Sequence, residues 1–163
     1  MIRHAGLIAL RLGGHWAGAL IEGPSGIGKS DLALRSLEAG FRLAADDRVV
    51  AWASGGALYG RAPGPLAGLI EVRGQGVLTE QPIAFAQIVL LAHCTHGSVE
   101  RLPDPAFETI VGLAIPRLDL DPREASAPAR IRRALEHLGR AGQQAYQAAS
   151  LGGGARAGTG DTH

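Results

Sequence analysis

Residues Gly23-Pro24-Ser25-Gly26-Ile27-Gly28-Lys29-Ser30 follow the pattern G-x-x-x-x-G-K-[ST]. Each fixed position has its own physical task. The glycines allow φ > 0, so successive backbone N–H groups turn toward one anion. Lys29 supplies a mobile point charge for β- and γ-phosphates, and the Ser30 hydroxyl is a ligand for Mg²⁺. Two further groups fit the same chemistry. Asp46-Asp47 gives phosphoryl transfer a metal anchor and a group that deprotonates the acceptor. On an extended chain the two carboxylates would point to opposite sides and divide those tasks, each charge raising its neighbour's pKa. Glu71-Val72-Arg73 puts a carboxylate and a guanidinium on one face of an extended segment, Glu71 toward Mg²⁺ and Arg73 toward a phosphate. Together they imply binding of a nucleoside triphosphate with Mg²⁺ and activation of an alcohol.

The elements that must carry these groups are legible from the apolar pattern. Ala17–Glu22 reads as a strand, and Ser30–Ala39 has helical spacing with Leu32, Ala33 and Leu37 on one side. Strand, loop, helix is the order that aims a helix N-terminus at phosphate. Residues 3–12 and 15–22 read as two strands joined at Gly13-Gly14. Gly40 caps the helix. Phe41–Ala45 is a strand ending at the Asp pair, and Arg48–Ala53 turns at Gly55-Gly56 into Ala57–Arg61. Residues 62–68 are irregular, and Gly74-Gln75-Gly76 forms a flexible segment after Leu69–Arg73. Pro82–His93 reads as a long buried strand, followed by Phe107–Ile115 and Arg117–Leu120 around Pro116. Residues 124–151 have helical spacing with Pro128 in the first turn and a break near Gly139–Gly142. The expected fold is strand-rich α/β, one domain over 1–151, with a disordered tail at 152–163.

Composition narrows the class. The chain has 163 residues, 46% hydrophobic and 19% charged, which suits one soluble globular domain. Its formal net charge of +1 gives no field that would draw it to nucleic acid or a membrane. One cysteine, Cys94, excludes an internal disulfide framework and fits a cytoplasmic location. No apolar run reaches membrane-spanning length, and MIRHAGLIALRLGGHW has no small-residue cleavage site.

GPSGIGKSDLAL, LAADDRV and LIEVRGQGVL, in this order and spacing, resemble the catalytic domain of HPr kinase/phosphorylase over about residues 3–138. That family phosphorylates a serine of HPr, the small phosphocarrier of the bacterial sugar phosphotransferase system. The resemblance implies a P-loop core related to phosphoenolpyruvate carboxykinases, ATP and Mg²⁺ as cofactors, HPr or an HPr-like carrier as partner, and a homo-oligomer, a hexamer in the family. It makes Gly23–Ser30 the ATP loop, with Lys29 on the phosphates and Ser30 on Mg²⁺. Asp47 matches the acid/base residue, Asp46 would support it or the metal, and Glu71 matches the metal-binding carboxylate. Arg73–Gly76 matches a stretch that serves both reaction directions. Arg101 aligns with a catalytic arginine, and His4 with a histidine before the first strand, with His15 as competitor. Most bacterial members carry an N-terminal domain, and this chain resembles the short form without one. Residues Pro116–Ser126 have only Arg117 and Arg123 as basic residues and lack the family's recognisable dephosphorylation segment, so the resemblance carries the kinase half alone.

Other chemistry-bearing residues read more plainly. His93-Cys94-Thr95-His96 crowds its ligands too closely to surround one tetrahedral zinc ion. The arginines of Arg130–Arg140 fit a solvated helix face or an oligomer contact, and Trp16 and Trp52 fit packing better than base stacking. Ser25 has no accompanying base that would make it a nucleophile. Two rival functions remain at this level, a small-molecule kinase using the same loop and a nucleotide-controlled interaction module. The second does not need a base.

Overall fold

Continuous apolar runs in the first two long strands, GLIAL and AGALI, bury both faces of the sheet they found. The computed structural model describes residues 1–97, 99 and 104–138. Strands β1 (Ile2–Arg3), β2 (Gly6–Leu12) and β3 (His15–Glu22) come first, the latter two forming a hairpin closed by Gly13-Gly14 at φ 59° and 84°. That sign of φ at both central residues is what a two-residue hairpin needs. Helix α1 (Lys29–Glu38) follows, then β4 (Arg42–Ala45) and the hairpin β5 (Val49–Ser54)–β6 (Ala57–Arg61). A small separate sheet pairs β7 (Leu69–Val72) with β8 (Gly76–Thr79). The chain then enters β9 (Ala86–Cys94), β10 (Ala106–Ile110) and β11 (Leu113–Leu120), and residues 127–138 form helix α2.

The large sheet runs β1-β5-β6-β9-β3-β2-β4, with β11 joined to β9 and β10 to β11. Strand β9 lies parallel to β3 and to β11, so the C-terminal ends of β3 and β9 emerge side by side, Glu22 opposite His93. Ile8, Leu10, Ala19 and Ile21 face one core, where they meet Leu32 and Ala33 of α1 and Ala127, Ile131, Leu135 and Leu138 of α2. Leu7, Ala9 and Leu20 face a second core, built with Val49, Leu58, Ile88 and Ile115 from other strands. One residue of register would exchange the two sets, so the pattern fixes the pairing.

Three expectations change. Gly74-Gln75-Gly76 lies at an ordered hairpin, with Val72 opposite Gly76 and the Gln75 N–H donating to the Val72 carbonyl at 2.9 Å. The predicted strand Pro82–His93 starts only at Ala86, since the Ile83 N–H is already taken by the Leu43 carbonyl and Phe85 stands half exposed. Pro116 lies within β11 rather than between strands; the chain reverses at Val111-Gly112 instead. Pro116 faces Phe107 on one side and precedes the first β9 pair, Arg117 with Leu91, on the other. A missing donor is tolerated at such an edge position. The helix expected at 124–151 is observed over 127–138, with Pro128 in its first turn; the expected break near Gly139–Gly142 and the tail at 152–163 lie outside the described residues.

Candidate active site

The loop between β3 and α1 starts where the sheet leaves no room for a side chain. A Cβ on Gly23 would lie 2.9 Å from the Cys94 carbonyl oxygen at the end of β9. Gly26 at φ 80° and Gly28 at φ 114° turn the chain into the helix. Gly28 is the N-cap of α1 and offers no side-chain acceptor, so the first-turn N–H groups are left to an external anion. The turn itself is held by the Ile27 N–H donating to the Pro24 carbonyl at 3.2 Å, and the His96 Nε2 lies 3.2 Å from the Ile27 carbonyl oxygen. Lys29 Nζ donates to the carbonyls of Gly23 at 2.8 Å and Pro24 at 3.1 Å, which holds its ammonium against the loop.

Asp46 follows β4 and is buried against this helix start. The Ser30 hydroxyl reaches its two carboxylate oxygens at 3.0 and 3.1 Å, and the Glu71 backbone N–H donates to Oδ2 at 3.1 Å. Burial pushes the Asp46 carboxyl above the ordinary range, and the N–H and hydroxyl donors oppose that rise. The adjacent charges of Asp47 and Glu71 add to it as lesser causes. Burial, rather than the paired charge expected from sequence, is therefore the leading cause. The Ser30 hydroxyl and the Asp46 carboxylate are oxygen donors of the kind a hard divalent cation takes, while Glu71 meets Asp46 through its backbone N–H. Among the described residues no group of three or more His, Cys, Asp and Glu side chains is placed to hold a metal ion.

Asp47 behaves differently. Its φ of 73° is left-handed, so the chain is not extended at this pair and simple strand alternation does not apply. The turn is closed by the Arg48 N–H on the Asp46 carbonyl, and the Ala5 N–H donates to the Asp47 carbonyl at 3.1 Å. The side chain stands 60% exposed, with Oδ1 3.7 Å from Nδ1 of His4. Sequence spacing alone gave no sign that β1 would bring His4 here. His15, the competitor, opens β3 beside the hairpin turn and pairs with Leu12. Glu71 points outward between the buried Ile70 and Val72, and Arg73 is exposed in the following turn. Arg101 lies outside the described residues.

Residues 12–149 match the model of the HPr Serine kinase C-terminal domain family. The chain belongs to that family. Its curated relatives include an HPr kinase/phosphorylase of Clostridium perfringens, 34% identical over 113 residues, and one of Streptococcus pneumoniae, 39% identical over 114. Each match covers 62% of this chain and 37% of the relative, so the chain spans well under half the length of those proteins. The solved Hpr(Ser) kinase/phosphatase of Coxiella burnetii superposes with a TM-score of 0.70 at 21% identity, covering 91% of this chain and 99% of that one. That agreement shows the fold, a strand-rich α/β arrangement.

Within this family fold the remaining expectations find plain positions. Cys94 is buried under the loop, and burial pushes its thiol up to about 11, which keeps it protonated. Trp16 packs under the guanidinium groups of Arg11 and Arg42, and Trp52 stacks on Tyr59 at 5.9 Å between centroids. Arg130 pairs with Glu124 and Arg133 with Glu136, while Arg132 donates to the Ala39 carbonyl, so these cations are used inside the chain. Beside the loop's flank, Arg123 holds the Asp121 carboxylate well below its usual range. Among the described residues no helix is long and apolar enough to cross a membrane.

Proposed function

We propose that this chain is an ATP-dependent kinase that phosphorylates a serine of HPr or an HPr-like phosphocarrier protein. The observation that carries the reading is the split of the Asp pair, Asp46 turned inward onto Ser30 and Asp47 turned outward beside His4. Binding alone does not need an exposed base next to a phosphate loop.

In this reading residues 23–30 are a phosphate loop of the kind found in phosphoenolpyruvate carboxykinases. The uncapped start of α1 receives the β-phosphate, and Lys29 follows charge onto the γ-phosphate. Ser30, Asp46 and Glu71 would hold Mg²⁺, which when bound neutralises charge on the phosphate oxygens. Asp47 takes the proton from the incoming serine hydroxyl, and His4 at 3.7 Å orients that carboxylate. Arg73, exposed past β7, and Arg101 stand as the cations that meet the transferring group. Because Asp47 could return the proton to the serine oxygen, phosphorolysis is the one further reaction to test, by adding inorganic phosphate to the product. A homo-oligomer, a hexamer by resemblance, would give a chain this small more surface for docking a protein substrate; a fully active monomer in sizing experiments contradicts that part.

Incubation with Mg²⁺, ATP and purified HPr, read by intact-mass and fragment analysis, tests the function. One added phosphate on a serine of the carrier is expected. An unmodified carrier alongside a phosphorylated metabolite would overturn the substrate assignment.

A further inference from the structure

Arg3 stands one residue before His4, in a strand only two residues long. Its backbone is tied to β5, with Arg3 opposite Val49, and the amide two residues on, Ala5, donates to the Asp47 carbonyl. Its side chain leaves that strand altogether. The guanidinium Nε and Nη2 donate to the two carboxylate oxygens of Glu22, the second at 2.8 Å, and Nη2 also reaches Glu108 Oε2 at 2.6 Å. Arg3 and Glu22 side chains are only 16% and 17% exposed. The hydrogen bonds it donates to the Glu22 carboxylate raise the Arg3 pKa further, so its charge is fixed.

The placement of these three groups is what matters. Glu22 is the last residue of β3 and directly precedes Gly23; Glu108 lies in the middle of β10. Strand β1 pairs with β5, β3 with β2 and β9, and β10 with β11, so no described ladder pairs any two of these three strands directly, and within the sheet they are linked only through β9 and its neighbours. A planar guanidinium fork can bind one carboxylate bidentately and still donate to a second, which an ammonium cannot do with the same geometry. Without the cation, Glu22 and Glu108 would face each other as like charges and move apart.

We propose that Arg3 is a positioning residue: by clamping Glu22 and Glu108 it sets the distance between the His4–Asp47 pair and the phosphate loop. This rests on the reading of Asp47 and His4 given above. It adds to the machinery a part that makes no contact with the residues of the phosphate loop in the bonds described above, and a misplacement on the ångström scale is costly in transfer.

The test uses Arg3→Met, Arg3→Lys and Glu22→Gln in the full chain. Two readouts are taken, amide hydrogen exchange and the kinetics of phosphate transfer to HPr. In Arg3→Met, protection of the Ala5 amide should fall about tenfold while Leu20 and Leu91 amides in the sheet core keep theirs. Turnover should fall roughly tenfold to a hundredfold, with KM for ATP changed less than about twofold. Arg3→Lys should lie between Arg3→Met and the unaltered chain, and Glu22→Gln, which keeps a neutral acceptor, should lose less. Unchanged Ala5 protection in Arg3→Met overturns the proposal, as does loss of protection spread evenly through the core. If Arg3→Met does not fold, Arg3→Lys and Glu22→Gln give the same comparison. Should the unaltered chain fail to phosphorylate HPr, the function reading fails alone, and the Ala5 amide still decides whether the clamp exists.

Discussion

Asp46 and Asp47 are adjacent in sequence and occupy opposite surroundings. Asp46 is 8% exposed, bonded to Ser30 and to the Glu71 backbone, with its carboxyl raised by burial. Asp47 is largely exposed, its backbone in the left-handed region and its carboxylate beside His4. The difference teaches that one backbone torsion turns a repeated residue into two tools. The inward carboxylate is fixed by donors and suits a metal; the outward one is reachable by a substrate hydroxyl.

The comparison can be broken most severely at the group both halves serve. Lys29→Ala removes the cation on the phosphates, and transfer should fall by at least about 10³-fold, measured by single-turnover kinetics. Retained turnover would mean that neither aspartate acts where we place it. Asp47→Asn should cost about 10²–10⁴ in turnover while nucleotide binding holds, because only the proton acceptor is lost. Asp46→Asn should act in the opposite sense, weakening Mg²⁺-dependent binding while stabilising the nucleotide-free protein. The sign follows from linkage. A carboxyl raised in the folded state binds its proton more tightly there than in the unfolded chain. Its contribution to stability is therefore full at low pH and is lost as pH rises through the folded-state value. The melting advantage of Asp46→Asn should thus be small near pH 4 and larger at pH 8, about 2–4 °C for each kcal/mol gained. An advantage that shrinks with rising pH would contradict the burial argument. Glu71→Gln should give the smallest effect, about a tenfold loss of Mg²⁺ affinity by calorimetry, since its backbone bond to Asp46 survives.

Much of this division was hidden in the sequence for a physical reason. The loop, its strand and its helix are local, and Gly23 to Ser30 could be read in place because each position answers to its immediate neighbours. The Asp pair was legible as chemistry, but the φ of 73° at Asp47 depends on tertiary contacts such as the Ala5 amide on its carbonyl. Strand alternation therefore assigned the two sides by the wrong rule. The link from Arg3 to Glu108 spans 105 positions, and no periodicity reports a pairing of that separation. Pro116 misled in the opposite way, since a residue that breaks interior strands is harmless where a ladder has not yet begun. The resemblance named His4, but what carries it beside Asp47 is β1, a strand of two residues held by its neighbours rather than by its own pattern.

Titration calorimetry of Mg²⁺·ATP into the unaltered chain, Asp46→Asn and Asp47→Asn tests the division of labour most directly. We expect Asp47→Asn to bind like the unaltered chain and Asp46→Asn to lose the Mg²⁺-dependent part of its affinity. Equal losses in both variants, or none in either, would contradict it.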